Sequence, residues 1–181
     1  MYKFNQYRGI LKFLVLFITM YTCCYAVIGL CSPANIYLPF VQKHLDFISV
    51  LRNFTLKGAQ LLLQLFHVNS KIGRYTIQAY PGNTVRMVYS CVGYGLLSFW
   101  WSYIISIPLK NIQKSILLAS GSLFIIACNI IRISLLAYPI CISNLNKNIE
   151  HHQLFNTIIY TLLFIMTIAV ARFTEKQKLG S

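Results

Sequence analysis

Acidic residues are almost missing from this sequence of 181 residues, which contains only Asp46, Glu150 and Glu175. So few carboxylates argue against a paired-aspartate intramembrane protease and against sites that hold a cation through carboxylate ligands. The sequence also lacks H-E-x-x-H, a P-loop, G-x-G-x-x-G and C-x-x-C. We therefore expect neither a metal nor an organic cofactor.

Charge of either sign is scarce as well. Charged residues make up 10% of the chain and hydrophobic residues 57%, with a mean hydropathy of +0.62, whereas a soluble domain carries roughly 25% charged residues. The net charge of +13 comes from basic residues scattered singly between apolar runs, a pattern typical of headgroup anchoring and not of nucleic-acid binding. We expect one compact membrane-embedded unit, 1–181, with membrane lipids as partners.

Four apolar runs are long enough to be predicted as membrane spans, at residues 10–30, 91–109, 115–138 and 152–171. The first run exceeds the apolar core of a signal peptide and lacks Ala-x-Ala, so we expect it to be retained. The basic residues flanking the runs predict four spans with both termini in the cytoplasm. Residues 31–89 then lie on the extracytoplasmic side.

The segment 31–89 contains two further predicted elements. Residues 46–68 have a helical period interrupted by polar side chains, which favours an interfacial or partly embedded helix over a full span. Apolar alternation on both sides of Pro81-Gly82-Asn83 predicts a short β-hairpin outside the bilayer. The predicted fold class is thus an all-α integral membrane protein with about four transmembrane helices, an interfacial helix and a short extracytoplasmic β-hairpin.

Chemically active side chains meet at the outer ends of these spans. Cys91 opens the second span, His151 and His152 open the fourth, and Arg132 lies in the third, about 9 Å below its outer end at 1.5 Å per residue. A charge within an apolar span is costly and is usually functional. A thiol beside a cation and an imidazole can act as a nucleophile.

Three nearby polar residues support this cluster. Asn129 lies one helical turn before Arg132, where it can bind substrate or orient a neighbour. Asn156 lies one turn after His152 and can fix the imidazole, as can Glu150 from the preceding loop. Each group also has a simpler interpretation: Arg132 as a snorkelling anchor, Cys91 as a packing residue and the histidines as an interfacial polar pair.

Three short blocks together resemble the exosortase/archaeosortase family, closest to the short exosortases of the Bacteroidetes type. They are Cys-Val-Gly from Cys91, Asn-Ile-Ile-Arg from Asn129, and the run from His151 to Tyr160, and the resemblance covers about Leu51 to Tyr160. It implies a bacterial cytoplasmic-membrane cysteine protease or transpeptidase, with Cys91 as nucleophile, Arg132 as stabiliser and His152, or alternatively His151, as acid/base. This chain departs from the family in having fewer spans than larger members and Val between Cys and Gly.

The substrates implied by the resemblance are exported proteins with a C-terminal signal made of a short motif, a hydrophobic helix and a basic tail. An unknown acceptor takes the new C-terminus. Phe99, Trp100 and Trp101 either line a groove for the substrate helix or pack between spans. A serine protease using Ser120 is disfavoured because that residue lies near the cytoplasmic end of its span. A non-catalytic assembly subunit, binding lipid headgroups or partner helices, is the alternative from another class.

Overall fold

The computed structural model describes residues 2–31, 40, 45–81, 84–138 and 151–179, and describes the backbone alone for residues 2–7, 90, 151–155 and 177–179. The chain divides into two compact units, Met1–Pro139 and Ile140–Ser181. In its described residues the first unit contains the sheet and the helices α1 (Tyr2–Cys31), α2 (Phe47–Leu65), α3 (Tyr94–Ser106) and α4 (Asn111–Ala137). The second contains α5 (His151–Leu179).

Three of the described helices are long and apolar enough to cross a membrane, over Arg8–Cys31, Asn111–Ala137 and Asn156–Lys176. The predicted helical, membrane-like character is thus present, whereas the described residues do not show all four predicted spans. The expected span at 91–109 is instead the 13-residue helix α3, about 20 Å long, whereas a bilayer core is about 30 Å thick. It is short because Gly93 begins it in the left-handed region and Ile107, before Pro108, ends it in extended backbone.

Helix α2 accounts for the predicted helix at 46–68. The Asp46 side chain accepts a hydrogen bond from the Ser49 amide at 3.0 Å and so caps its first turn. One face of α2 is buried, and it carries Ile48, Arg52, Thr55, Leu56, Ala59 and Leu63. The opposite face exposes apolar side chains, including Val50, Phe54 and Leu61, as expected of a helix that also meets lipid.

The sheet has three antiparallel strands in the order β1 (Asn69–Ile72), β2 (Thr76–Tyr80) and β3 (Thr84–Arg86). Strands β2 and β3 form the predicted hairpin, with Ile77 opposite Val85; Gly82 and Asn83 of its turn lie outside the described residues. Strand β1 was not predicted, because Asn-Ser-Lys-Ile contains a single apolar residue and so no alternation.

The core of the first unit lies between α2, the sheet and α4. Its fully buried members include Leu56, Ile77 and Ile133, and it extends to Cys91 at the start of α3. Helices α2 and α4 approach closely at Gly58, since a side chain there would meet Ile130. This packing holds the segment before α3 against the middle of α4.

Aromatic side chains join α1 to α3. The rings of Phe13 and Phe17 pack on Phe99, with centroids 5.5 and 6.0 Å apart. Helix α3 meets α4 through Trp100, which is fully buried, fills the space left by Gly121 and donates to the Leu117 carbonyl at 3.0 Å. Phe99 and Trp100 are therefore packing residues, as one of the two sequence interpretations held.

Candidate active site

Cys91 ends a short 3-10 turn, Tyr89–Cys91, that connects the sheet to α3. The turn is closed by backbone hydrogen bonds from Cys91 to Val88 at 2.9 Å and from Val92 to Tyr89 at 3.1 Å. The next residue, Gly93, has a φ of +86°, a conformation that costs any other residue about 1–2 kcal/mol. The Cys-Val-Gly block thus forms a sharp connection that places Cys91 against α4.

Asn129 of α4 fixes this connection. Its buried amide nitrogen donates to the carbonyls of Cys91 at 3.1 Å and Val92 at 2.9 Å. A Cβ at position 93 would lie 2.7 Å from that nitrogen, so glycine is needed for the close approach as well as for the positive φ. Of the two roles expected for Asn129, the structure places it as a residue that orients the cysteine.

Arg132, one turn further along α4, contacts the thiol itself. Its Nη2 donates to the Sγ of Cys91 at 3.4 Å, and only 6% of the residue is exposed. The buried guanidinium therefore contacts the cysteine rather than snorkelling to a headgroup. Its Nε is buried without a partner among the described residues.

This geometry suits a thiolate nucleophile. A guanidinium beside a thiol stabilises the thiolate, and its remaining donors can hold the oxygen of an acyl intermediate. An unsatisfied buried donor costs about 1–3 kcal/mol, so the Arg132 Nε is a natural place for an anionic oxygen. The arrangement of Cys91, Asn129 and Arg132 is therefore able to activate a thiol and to stabilise an oxyanion next to it.

The predicted acid/base lies in the second unit. His151 and His152 are the first two residues of α5, and their side chains fall outside the described ones, as does all of Glu150. Asn156 is half-buried on α5, one helical turn after His152. Ser120, considered as a rival nucleophile, donates to the Leu117 carbonyl of its own helix at 3.4 Å.

Arg52 is a second buried cation, which the sequence suggested only as a polar residue of an interfacial helix. It is 5% exposed and lies 4.3 Å from the centre of the Tyr75 ring and 5.9 Å from that of Tyr89. The burial of Arg52 could have been predicted from its spacing. Ile48, Arg52 and Leu56 recur every four residues and so share one face of α2.

An apolar cavity of about 390 Å³ lies between α1, α2 and α3. Its lining includes Cys24, Leu51, Tyr94, Leu97 and Trp101. Tyr94 is the lining residue nearest to Cys91 in sequence, and Cys91, Asn129 and Arg132 are not among the lining residues. Of the three aromatic residues considered as groove-lining, only Trp101 contributes to its wall.

In comparison with known proteins, no family model, no curated protein and no solved structure matches this chain. The resemblance to the exosortase/archaeosortase family therefore depends on the three sequence blocks alone and stays a prediction. The structure adds that two of these blocks, the one at Cys91 and the one from Asn129 to Arg132, are in direct contact.

Proposed function

We propose that this protein is a membrane cysteine peptidase or transpeptidase that removes C-terminal sorting signals from exported proteins at the outer face of the cytoplasmic membrane. The observation that supports this most strongly is the 3.4 Å contact between the Arg132 guanidinium and the Cys91 thiol. Among the described residues this buried arginine has no carboxylate partner and instead donates to a cysteine. Such a contact suits a thiolate, which a neighbouring guanidinium stabilises.

The proposed reaction proceeds through a thioester. The Cys91 thiolate attacks the carbonyl carbon of the scissile peptide, and Arg132 holds the negative charge that develops on the carbonyl oxygen. His152 gives a proton to the leaving amine as the C–N bond breaks, which releases the hydrophobic helix and basic tail. An acceptor amine or water then attacks the thioester, gives up its proton to the histidine and restores the thiolate.

In this proposal each supporting residue acts through one of those three groups. Asn129 and Gly93 hold the cysteine turn in place, so that Sγ and the guanidinium keep their separation during the reaction. Asn156, or Glu150, fixes the His152 ring. His151 is the alternative acid/base, and replacing each histidine by glutamine separately distinguishes the two.

Capture of the acyl-enzyme with hydroxylamine tests the proposal. Membranes of the native host are incubated with hydroxylamine, and the new C-termini of processed proteins are analysed by mass spectrometry. A thioester at Cys91 gives C-terminal hydroxamates, whereas direct attack by water gives carboxylates only. Membranes with Cys91→Ala serve as the negative control and those with Cys128→Ala as the matched one, since Cys128 is a half-buried cysteine of α4.

Hydroxamates in wild type and Cys128→Ala but not in Cys91→Ala would support the proposal. Normal processing by Cys91→Ala would contradict it and favour the assembly-subunit alternative, in which Arg132 and the histidines bind headgroups or a partner helix.

A further inference from the structure

We propose that Arg52 is a specificity-determining residue that binds an acidic side chain of the polypeptide substrate, close in sequence to the scissile bond that Cys91 attacks. This inference rests on the proposed function, because it assigns a substrate contact to the same site. It comes from the bonding of the Arg52 guanidinium, from its surroundings and from its position relative to Cys91.

The guanidinium of Arg52 is buried and under-bonded. Its Nη2 donates to the Ser49 hydroxyl at 3.0 Å, which is the only hydrogen bond that the residue makes to the described part of the chain. The Nε is buried and has no partner among the described residues. A buried charge in this state is costly unless an anion completes it.

Among the described residues, no carboxylate forms an ion pair with Arg52. Asp46 instead accepts from the amide of Ser49, the residue whose hydroxyl accepts from Arg52. Glu175 is an exposed residue of the second unit. A carboxylate supplied by the substrate would provide the missing partner.

Aromatic rings hold the guanidinium in a fixed orientation. Tyr75 lies 4.3 Å from it and Tyr89 lies 5.9 Å from it. Cation–π contacts use the face of a guanidinium, so the N–H donors in its plane stay available to a carboxylate. In Arg52 one of these donors already bonds to Ser49, and the Nε has no partner among the described residues. The surroundings of Arg52 are thus those of a carboxylate-binding site.

Tyr89 also links Arg52 to the nucleophile. It begins the 3-10 turn that ends at Cys91, a separation of roughly 4 Å along the axis of such a turn. An extended peptide advances about 3.3 Å per residue, so an acid bound at Arg52 would lie within roughly five residues of the cut. Because only 5% of Arg52 is exposed, a single side chain suits the site better than a bulky lipid headgroup.

The test uses a host protein whose tail this enzyme removes, identified by comparing wild-type and Cys91→Ala strains. Each Glu or Asp within five residues of its cleavage site is changed to the matching amide. For wild-type enzyme we expect one such change to slow processing about 10- to 100-fold, as for loss of a charged hydrogen bond. For Arg52→Gln we expect slow processing of both substrates and no remaining preference between them.

Arg74→Gln is the matched control, since Arg74 also stacks on Tyr75, at 5.6 Å, but is exposed. It should keep the preference for the acid. A purely structural role for Arg52 would slow both substrates and leave their ratio unchanged. If Arg52→Gln does not accumulate, Arg52→Lys replaces it; lysine keeps the charge but not the planar edge, and the preference should fall.

Several outcomes would overturn the proposal. If wild-type enzyme processes the acid and amide substrates equally, the role of Arg52 is refuted and the Cys91 mechanism is unaffected. If Cys91→Ala processes its substrates normally, the proposed function itself is refuted. Purified full-length protein is also heated in phosphatidylglycerol and in phosphatidylcholine vesicles. A stabilisation by phosphatidylglycerol that disappears in Arg52→Gln, without any acid preference, would assign Arg52 to a lipid phosphate instead.

Discussion

Gly93→Ala is expected to displace the Cys91 turn and so to reduce both stability and processing. The substitution introduces strain because residue 93 has a φ of +86°. It also places a methyl group 2.7 Å from the Asn129 amide nitrogen, which must then move away from the carbonyls of Cys91 and Val92. Strain of about 1–2 kcal/mol and two hydrogen bonds of about 0.5–1.5 kcal/mol each give a loss of about 2–5 kcal/mol.

A double-mutant cycle separates these two contributions. Asn129→Ala removes both the group with which the new methyl collides and its two hydrogen bonds, so Gly93→Ala should cost about 1–3 kcal/mol less in that background. Unfolding of the purified full-length chain in detergent, followed by tryptophan fluorescence, gives the free energies. Processing of tailed proteins in host membranes gives the activity.

Gly95→Ala is the matched control for this cycle. Gly95 is helical, and a Cβ there would make an ordinary contact with the Tyr21 ring at 3.4 Å. Alanine should therefore be neutral, or more stable by up to about 1 kcal/mol. The reasoning would be refuted if Gly93→Ala behaved like Gly95→Ala, or if the effects of Gly93→Ala and Asn129→Ala were additive.

Three further predictions concern Arg132, Cys91 and Trp100. Arg132→Gln should slow processing in host membranes about 100- to 1,000-fold, as for loss of an oxyanion donor. The rate for Arg132→Lys should fall between those of Arg132→Gln and wild type. Equal processing rates for all three would argue against a role of Arg132 in the reaction. A small anionic methanethiosulfonate should label Cys91 faster in wild type than in Arg132→Gln, because the guanidinium lies 3.4 Å from Sγ and attracts the anionic reagent, with peptide mass spectrometry as the readout. Gly121→Val should expel the Trp100 indole, red-shift its fluorescence and destabilise the protein by about 1–3 kcal/mol; an unchanged spectrum would contradict the packing described.

Much of the helical architecture could be predicted, because apolar runs longer than a bilayer is thick have few other stable structures. The exception is α3, whose 13 residues were read together with the preceding turn as one span. Hydropathy does not show that Cys91, Val92 and Gly93 lie outside the helix. In the structure Gly93 adopts a left-handed conformation, so α3 begins only after it. The β2–β3 hairpin was predicted from alternation, and β1 was missed because its exposed edge needs no apolar pattern.

For the site, the sequence placed the Cys91 and Arg132 blocks near each other by treating both as parts of predicted spans. The structure has the two blocks in contact, although the helix after Cys91 is too short to be a span. The role of Asn129 could not be fixed in advance, because a buried amide can bind either substrate or backbone, and only the distances to the Cys91 and Val92 carbonyls distinguish the two. Arg52 was missed because scattered polar residues on α2 suggested an interface, although its spacing from Ile48 and Leu56 places it on the buried face.

The most direct test of the central claim is the mass and localisation of a tailed exported protein in host strains carrying wild type, Cys91→Ala or Cys128→Ala. We predict that only Cys91→Ala leaves the hydrophobic helix and basic tail attached, while the variant itself still accumulates in the membrane. Complete removal of the tail by Cys91→Ala would contradict the assignment of Cys91 as the nucleophile.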